Sequence, residues 1–149
     1  MAQLTAQQVA DYIIAFANEA GSSITNLKLQ KMVYYAQGYY LALNNEKLFD
    51  DRIEAWVHGP VLPVLYHKYK EFRWQSINVA VDVPTISQEI KNFLDLVIET
   101  FLPMDAFKLE RMTHEESPWL NARGDLEATA KCNKEITPSD MKEYFSALV

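Results

Sequence analysis

Apolar positions recur at helical spacing along most of this chain. Val9, Tyr12, Ile13, Phe16 and Ala17 fall three and four apart, which places them on one face of a first helix. Thr5 and Gln8 stand ahead of them at capping-box spacing, where each side chain satisfies a backbone N–H that the helix start leaves free. Gly21 is a natural stop. A second helix is expected from about Thr25, with Leu29, Met32, Val33, Ala36, Tyr40 and Leu43 on its buried face and Asn44-Asn45 ending it in left-handed geometry. Its other positions include Tyr34, Tyr35 and Tyr39. The helix is thus aromatic nearly all round, and is either buried on more than one side or carries an exposed aromatic strip.

The period changes at residue 53. Ile53, Ala55 and Val57 alternate with Glu54, Trp56 and His58, which predicts a short strand broken by Gly59-Pro60. Pro63 suits the first turn of a third helix, where its missing N–H costs nothing. Val64, Leu65, Tyr66, Tyr69 and Phe72 would be that helix's apolar positions. The β-branched run INVAVDVP, 77–84, predicts a second strand ending at Pro84. Ser87 can cap a helix presenting Ile90, Phe93, Leu94, Val97 and Phe101, with Pro103 as its end, and Asp105 can cap another running to about His114. Ser117-Pro118 and Thr137-Pro138 repeat one device, a capping hydroxyl followed by proline at the first helical position. The last helix is expected from Pro138 to about Ala147, after a polar loop at GDLEATAKCNKE, 124–135. Two short strands do not stand alone as a sheet. The expected fold is mainly α with a small β element (α+β), a compact single-domain helical bundle over residues 1–149, without repeats or linkers.

Composition narrows the function classes. With 49% hydrophobic and 23% charged residues, the chain is no disordered segment, and 149 residues suffice for a real core. A formal net charge of −6 with no Lys/Arg run works against phosphate backbones, so no nucleic-acid partner is expected. The single cysteine, Cys132, forms no internal disulfide, which suits a reducing cytoplasm. The start, MAQLTAQQVADYII, lacks the basic and apolar regions of a signal peptide. No run approaches the ~18 apolar residues of a membrane span, so a cytoplasmic protein without a membrane partner is expected.

Catalytic and ligand signals are weak. His58, His67 and His114 show no metal-ligand spacing, and His114 is followed by EESPW, not by an HExxH pattern. There is no GxSxG elbow and no GxGxxG or GxxxxGKS/T phosphate loop among only four glycines. The adjacent acids Asp50-Asp51 and Glu115-Glu116 read as helix-end or surface charges, with Asp50-Asp51 capping a turn into the strand. Neither cofactor, metal nor catalytic residue is expected. Three tryptophans, eight tyrosines and seven phenylalanines carry more information. The cluster Tyr34, Tyr35, Tyr39, Trp56, His58, Tyr66 and Tyr69 reads two ways: packed core, or anchors of a protein-binding surface.

Two blocks, LKLQKMVYYAQGYYLAL and LFDDRIEAWVHGPVLPVLYHKYK, resemble the Panacea domain, also known as the SocA-like antitoxin domain of phage-associated (GepA-type) proteins. The first block supplies Leu29, Gln30, Lys31, Tyr34, Ala36 and Gln37. The second supplies Leu48, Phe49, Ile53, Glu54, Ala55, Trp56, Gly59, Pro60, Val61, Pro63 and Tyr66. The segment LERMTHEESPWLNAR adds Leu109, Thr113, His114, Pro118, Trp119, Ala122 and Arg123, and ITPSDMKEYF suits the closing helix. His58 sits where members often carry tyrosine or another residue.

The resemblance implies a non-enzymatic antitoxin of a toxin–antitoxin system, whose partner is a protein toxin encoded by an adjacent gene and neutralised by direct binding. The alternative it implies is a proteolytic adaptor that delivers the toxin to a ClpXP-type protease. The residues themselves leave open an uncharacterised small hydrolase using His114 with Glu115 or Glu116. An added DNA-binding module is not expected, because the pattern begins near residue 5. Gln30, Lys31, Tyr34, Gln37, Trp56, Gly59, Pro60, Pro63, Tyr66, Thr113, His114, Pro118 and Trp119 are expected to be mostly scaffold, with the corners at 56–63 and 113–119 packed together. Tyr39, His58, His67 and Trp74, at positions the pattern leaves open, are the candidate partner-binding residues.

Overall fold

A computed structural model describes residues 2, 4–22 and 24–149. Its elements are α1 (Ala6–Glu19), α2 (Asn26–Asn44), β1 (Glu54–Trp56), β2 (Gly59–Val61), α3 (Pro63–Tyr69) with a 3-10 turn at Lys70–Phe72, α4 (Gln88–Phe101), α5 (Ala106–His114), α6 (Ser117–Arg123) and α7 (Pro138–Ser146). The fold is mainly α with one two-stranded antiparallel sheet, as expected.

Helix α2 is the axis of the molecule. Every residue from Leu29 to Gly38 is buried, because α1, α3, α4, α5, α7 and β2 all pack against it. This answers the all-round aromatic pattern: Tyr34 and Tyr35 are core side chains, with Tyr35 stacked on Phe101 of α4 at 4.3 Å and 7°. Helix α7 lies against α2 at Gly38, where an added Cβ would sit 2.2 Å from the Phe145 ring. The tail of α2 leaves the core, so Leu43, expected inside, is 59% exposed. Asn45 ends the helix at φ 56°, ψ 30°, the left-handed stop that the Asn pair predicts.

Helix α1 has the predicted box: the Thr5 hydroxyl accepts from the Gln8 N–H, and the Gln8 side chain accepts from the Thr5 N–H. Asp51, expected to cap a turn near the strand, instead accepts from the Ala6 N–H at 2.9 Å. It serves the α1 start from 45 residues away. The Tyr12 hydroxyl donates to Asp95 at 2.6 Å and ties α1 to α4.

The β element differs from expectation. Gly59-Pro60 does not break the strand; it forms the second one. β1 and β2 pair as Glu54↔Val61, Ala55↔Pro60 and Trp56↔Gly59 around a two-residue Val57-His58 turn. Gly59 at φ 105° follows that turn, in a backbone region that side chains disfavour. Pro60 is tolerated because β2 is an edge strand. The other edge of β1 is covered by the segment before α7: Ala55 N–H donates to Lys134 O at 2.9 Å and Ile136 N–H to Ile53 O at 2.8 Å. The run 77–84 forms no strand. It crosses the surface with Ile77 buried and Val79 and Val81 packed on the core, which accounts for its alternation without a ladder.

Two smaller corrections follow from packing. Val64 on α3 is 55% exposed, while Leu65 and Tyr69 are buried. Ser117 does not cap α6, since Glu116 holds the N-cap position and its side chain makes no capping bond. Thr137 does cap α7, accepting from the Asp140 N–H at 3.1 Å.

Candidate functional site

The buried polar residues of α2 form a row of pins. A short connection crossing a core must have its backbone groups satisfied. Gln37 accepts from Leu48 N–H at 2.8 Å and donates to Phe49 O at 2.7 Å. Gln30 accepts from Leu62 N–H at 2.9 Å and donates to Asn26, which in turn donates to Tyr66 O at 3.2 Å. The Lys31 ammonium, fully buried, donates to Pro60 O at 3.1 Å. Three side chains thereby fix the entry to β1, the strand β2 and the start of α3.

The hairpin is gripped from its other side by α5 and α6. Trp119 donates from its indole N–H to Trp56 O at 2.8 Å. Arg123 donates to Ala55 O at 3.0 Å and to Glu127 O at 2.8 Å and Ala130 O at 2.5 Å, so one guanidinium ties β1 to the 124–135 loop. Both Arg123 and His114 lie on the Trp119 ring, with the imidazole stacked at 4.2 Å and the guanidinium 4.8 Å away. Gly59 is wedged beneath: a Cβ there would meet Thr113 Oγ1 at 2.7 Å and Lys31 Cε at 2.9 Å. Pro63 opens α3 and Pro118 is buried in the first turn of α6.

Burial shifts the titration of this framework. Desolvation pushes the Lys31 amine down to about 7 against the opposing pull of Glu110. It also lowers the His114 imidazole. Glu116, read from sequence as a helix-end or surface charge, does stand at the start of α6, yet it is 6% exposed and accepts from Tyr34 OH at 3.0 Å and Tyr35 OH at 2.8 Å. Burial raises its carboxyl to about 7, and the two tyrosine hydrogen bonds oppose that rise. Both tyrosines are pushed up, by burial first and the Glu116 charge second. The tyrosine pair on an apolar helix was the available clue, since buried hydroxyls require an acceptor.

Beside this framework lies a groove of about 1120 Å³, bounded by the first turns of α2, the hairpin turn, α3 with its 3-10 turn, α5 and residues 129–133. Trp56, Tyr66, Trp74 and Phe107 give it an aromatic lining. Trp56 meets Tyr66 edge-on at 4.9 Å, and its indole N–H donates to Glu54 at 2.8 Å. Trp74 is 78% and Phe107 70% exposed. Of the four candidate partner-binding residues, His58 and Trp74 line the groove, and His58 bonds Glu110 through Nδ1 at 3.1 Å. His67 borders it through ring contacts with Trp56 and Tyr66. Tyr39 lies elsewhere, half-buried between Phe101 and Phe145. Phe107 was missed because a lone phenylalanine on a helix reads as core.

His114 does not line the groove, and the Glu116 carboxylate is engaged by tyrosines on α2. Among the described residues, no cluster of His, Cys, Asp and Glu could hold a metal ion, and no helix is long and apolar enough to cross a membrane.

Comparison with known proteins agrees with the motif blocks. The family described as antitoxin SocA-like, Panacea domain matches residues 29–120. That span runs from the first pin of α2 through the hairpin to the α6 corner. Antitoxin SocA of Caulobacter vibrioides (strain NA1000 / CB15N) is 30% identical over 128 residues, covering 76% of this chain and 68% of that protein. No solved structure matches the chain. The chain belongs to the antitoxin SocA-like, Panacea domain family.

Proposed function

We propose that this protein is an antitoxin that neutralises a protein toxin, encoded by an adjacent gene, by holding it directly in the aromatic groove. The carrying observation is the exposure of Trp74 and Phe107, 78% and 70%, beside the part-covered Trp56 and Tyr66. Large aromatic surfaces left open around a rigid pocket are the usual anchors of protein partners. The groove's walls are pre-organised by Gln30, Lys31, Trp119 and Arg123, so little ordering cost opposes binding. In this reading Tyr34, Gln37, Gly59, Pro60, Pro63, Thr113, His114 and Pro118 hold the frame. His58, His67 and Trp74 meet the partner, the role is non-enzymatic, and the setting is the cytoplasm.

Co-expression with the adjacent open reading frame tests the proposal. The expected result is growth arrest by the neighbour alone, rescue by this chain, and stoichiometric co-elution. Trp74→Ala should weaken co-elution without altering the melting temperature. Rescue that disappears in cells lacking ClpXP would replace direct holding with proteolytic delivery. A harmless neighbour that never co-elutes would overturn the pairing.

A further inference from the structure

The groove's charge runs against that of the molecule. The chain carries 20 Asp and Glu against 14 Lys and Arg. Yet three surface cations, Lys70, Arg73 and Lys131, line the groove together with the buried Lys31 amine and one acid, Glu110. That acid already bonds His58. Among the described residues Lys70, Arg73 and Lys131 have no carboxylate partner, so these cations stand as unneutralised charges around an aromatic floor. Beneath them Lys31 spends one hydrogen bond on Pro60 O and has donors to spare.

Arg73 is also held at φ 55°, ψ −120°, a backbone region where a side chain is strained. Its position at the groove, next to the exposed Trp74, is where such strain accompanies ligand contact.

We infer that the groove takes an acidic segment of the partner protein, apolar side chains entering between Trp56, Tyr66, Trp74 and Phe107 while Asp or Glu carboxylates meet Lys70, Arg73 and Lys131. This rests on the direct-binding reading and names the chemistry of the toxin element it holds. A segment, not a long polyanion, is the better occupant, since a net charge of −6 repels any phosphate backbone that extends past the groove. Opposite charge around an apolar floor speeds encounter and sets register, so the complex should be sensitive to ionic strength.

The test uses the full chain and the adjacent gene's product as purified proteins. Binding is measured at low and high salt for wild type and for Lys70→Glu, Arg73→Glu and Lys131→Glu, with Lys142→Glu on the exposed side of α7 as control. Each groove reversal should weaken the complex roughly tenfold or more at low salt, and the control should not. A zero-length carbodiimide, which activates a carboxylate for attack by an amine so that the amide forms while the reagent takes up the elements of water and leaves as a urea, should link Lys70 or Lys131 to a partner Asp or Glu. Unchanged affinity in all three reversals would overturn the acidic-segment inference and leave direct binding intact. No complex with wild-type protein would overturn both. An eight-residue oligodeoxythymidine that binds wild type, fails with the same reversals and competes with the partner would assign the groove to single-stranded nucleic acid instead.

Discussion

The Trp119 indole donates its N–H to the Trp56 carbonyl at 2.8 Å, across 63 residues of sequence. This bond joins the end of β1 to the first turn of α6, beside the groove that Trp56 lines. The two tryptophans do different work. Trp119 is 3% exposed and packed by His114 and Arg123, whereas the Trp56 ring is half-buried and faces the groove. Trp119→Ala should therefore cost about 3–5 kcal/mol, and Trp56→Ala less than half of that. Denaturant unfolding of both variants checks this, and equal losses would contradict the assignment.

Gly38 yields a prediction opposite to helix propensity. In an exposed helix, glycine to alanine should stabilise by about 1 kcal/mol. Here the new methyl would meet the Phe145 ring at 2.2 Å, so α7 must shift off α2. Gly38→Ala should destabilise by about 1–3 kcal/mol. Gly38→Ala with Phe145→Leu should recover part of that loss. Thermal melts of the single and double variants check it.

Stability should depend on pH through two buried groups of opposite sign. The Glu116 carboxyl is raised to about 7, so the folded state holds its proton more tightly than the unfolded state. Its contribution is complete below its ordinary value of 4.5 and is lost as pH rises through 7. Glu116→Gln should gain on wild type over that window, by up to about 3 kcal/mol. Lys31 is lowered to about 7, so its contribution is complete above 10.5 and is lost as pH falls through 7. Lys31→Met should gain on wild type as pH falls from 10.5 to 7. Melting temperature against pH reads both slopes.

Arg73 couples stability to binding. Glycine accommodates φ 55°, ψ −120° without strain, and its greater unfolded-state freedom offsets only part of the relief. Arg73→Gly should hold or raise stability by up to about 1 kcal/mol while weakening the partner complex. A variant that melts lower and binds normally would contradict the account.

Much of the frame was legible from residue types alone. The caps read at Thr5, Ser87, Asp105 and Thr137 sit at the helix starts they predict, because a cap is a local hydrogen bond within three residues. The second strand was misplaced, because Gly59-Pro60, read as the end of a strand, is instead tolerated as the edge strand of a hairpin, and 77–84 alternates only to pack on the core. The burial of Glu116 and the bond of Asp51 to α1 escaped the sequence for another reason. Their partners lie 82 and 45 residues away, and no local pattern encodes such a bond. The groove was partly legible: His58 and Trp74 were singled out, but the basic residues around them, Lys31 of α2, Lys70 of the 3-10 turn, Arg73 just after it and Lys131 of the 129–133 segment, come together only in the folded chain.

Cys132 offers the most direct measurement. It is the chain's single cysteine, it lines the groove, and it is partly accessible. The rate at which N-ethylmaleimide labels Cys132, read by mass spectrometry of its peptide, reports whether the groove is filled. With the adjacent gene's product bound in stoichiometric complex, labelling should slow at least tenfold relative to the free chain. A complex of the same stoichiometry in which Cys132 reacts at the free rate would place the partner on another face and contradict the groove as the binding site.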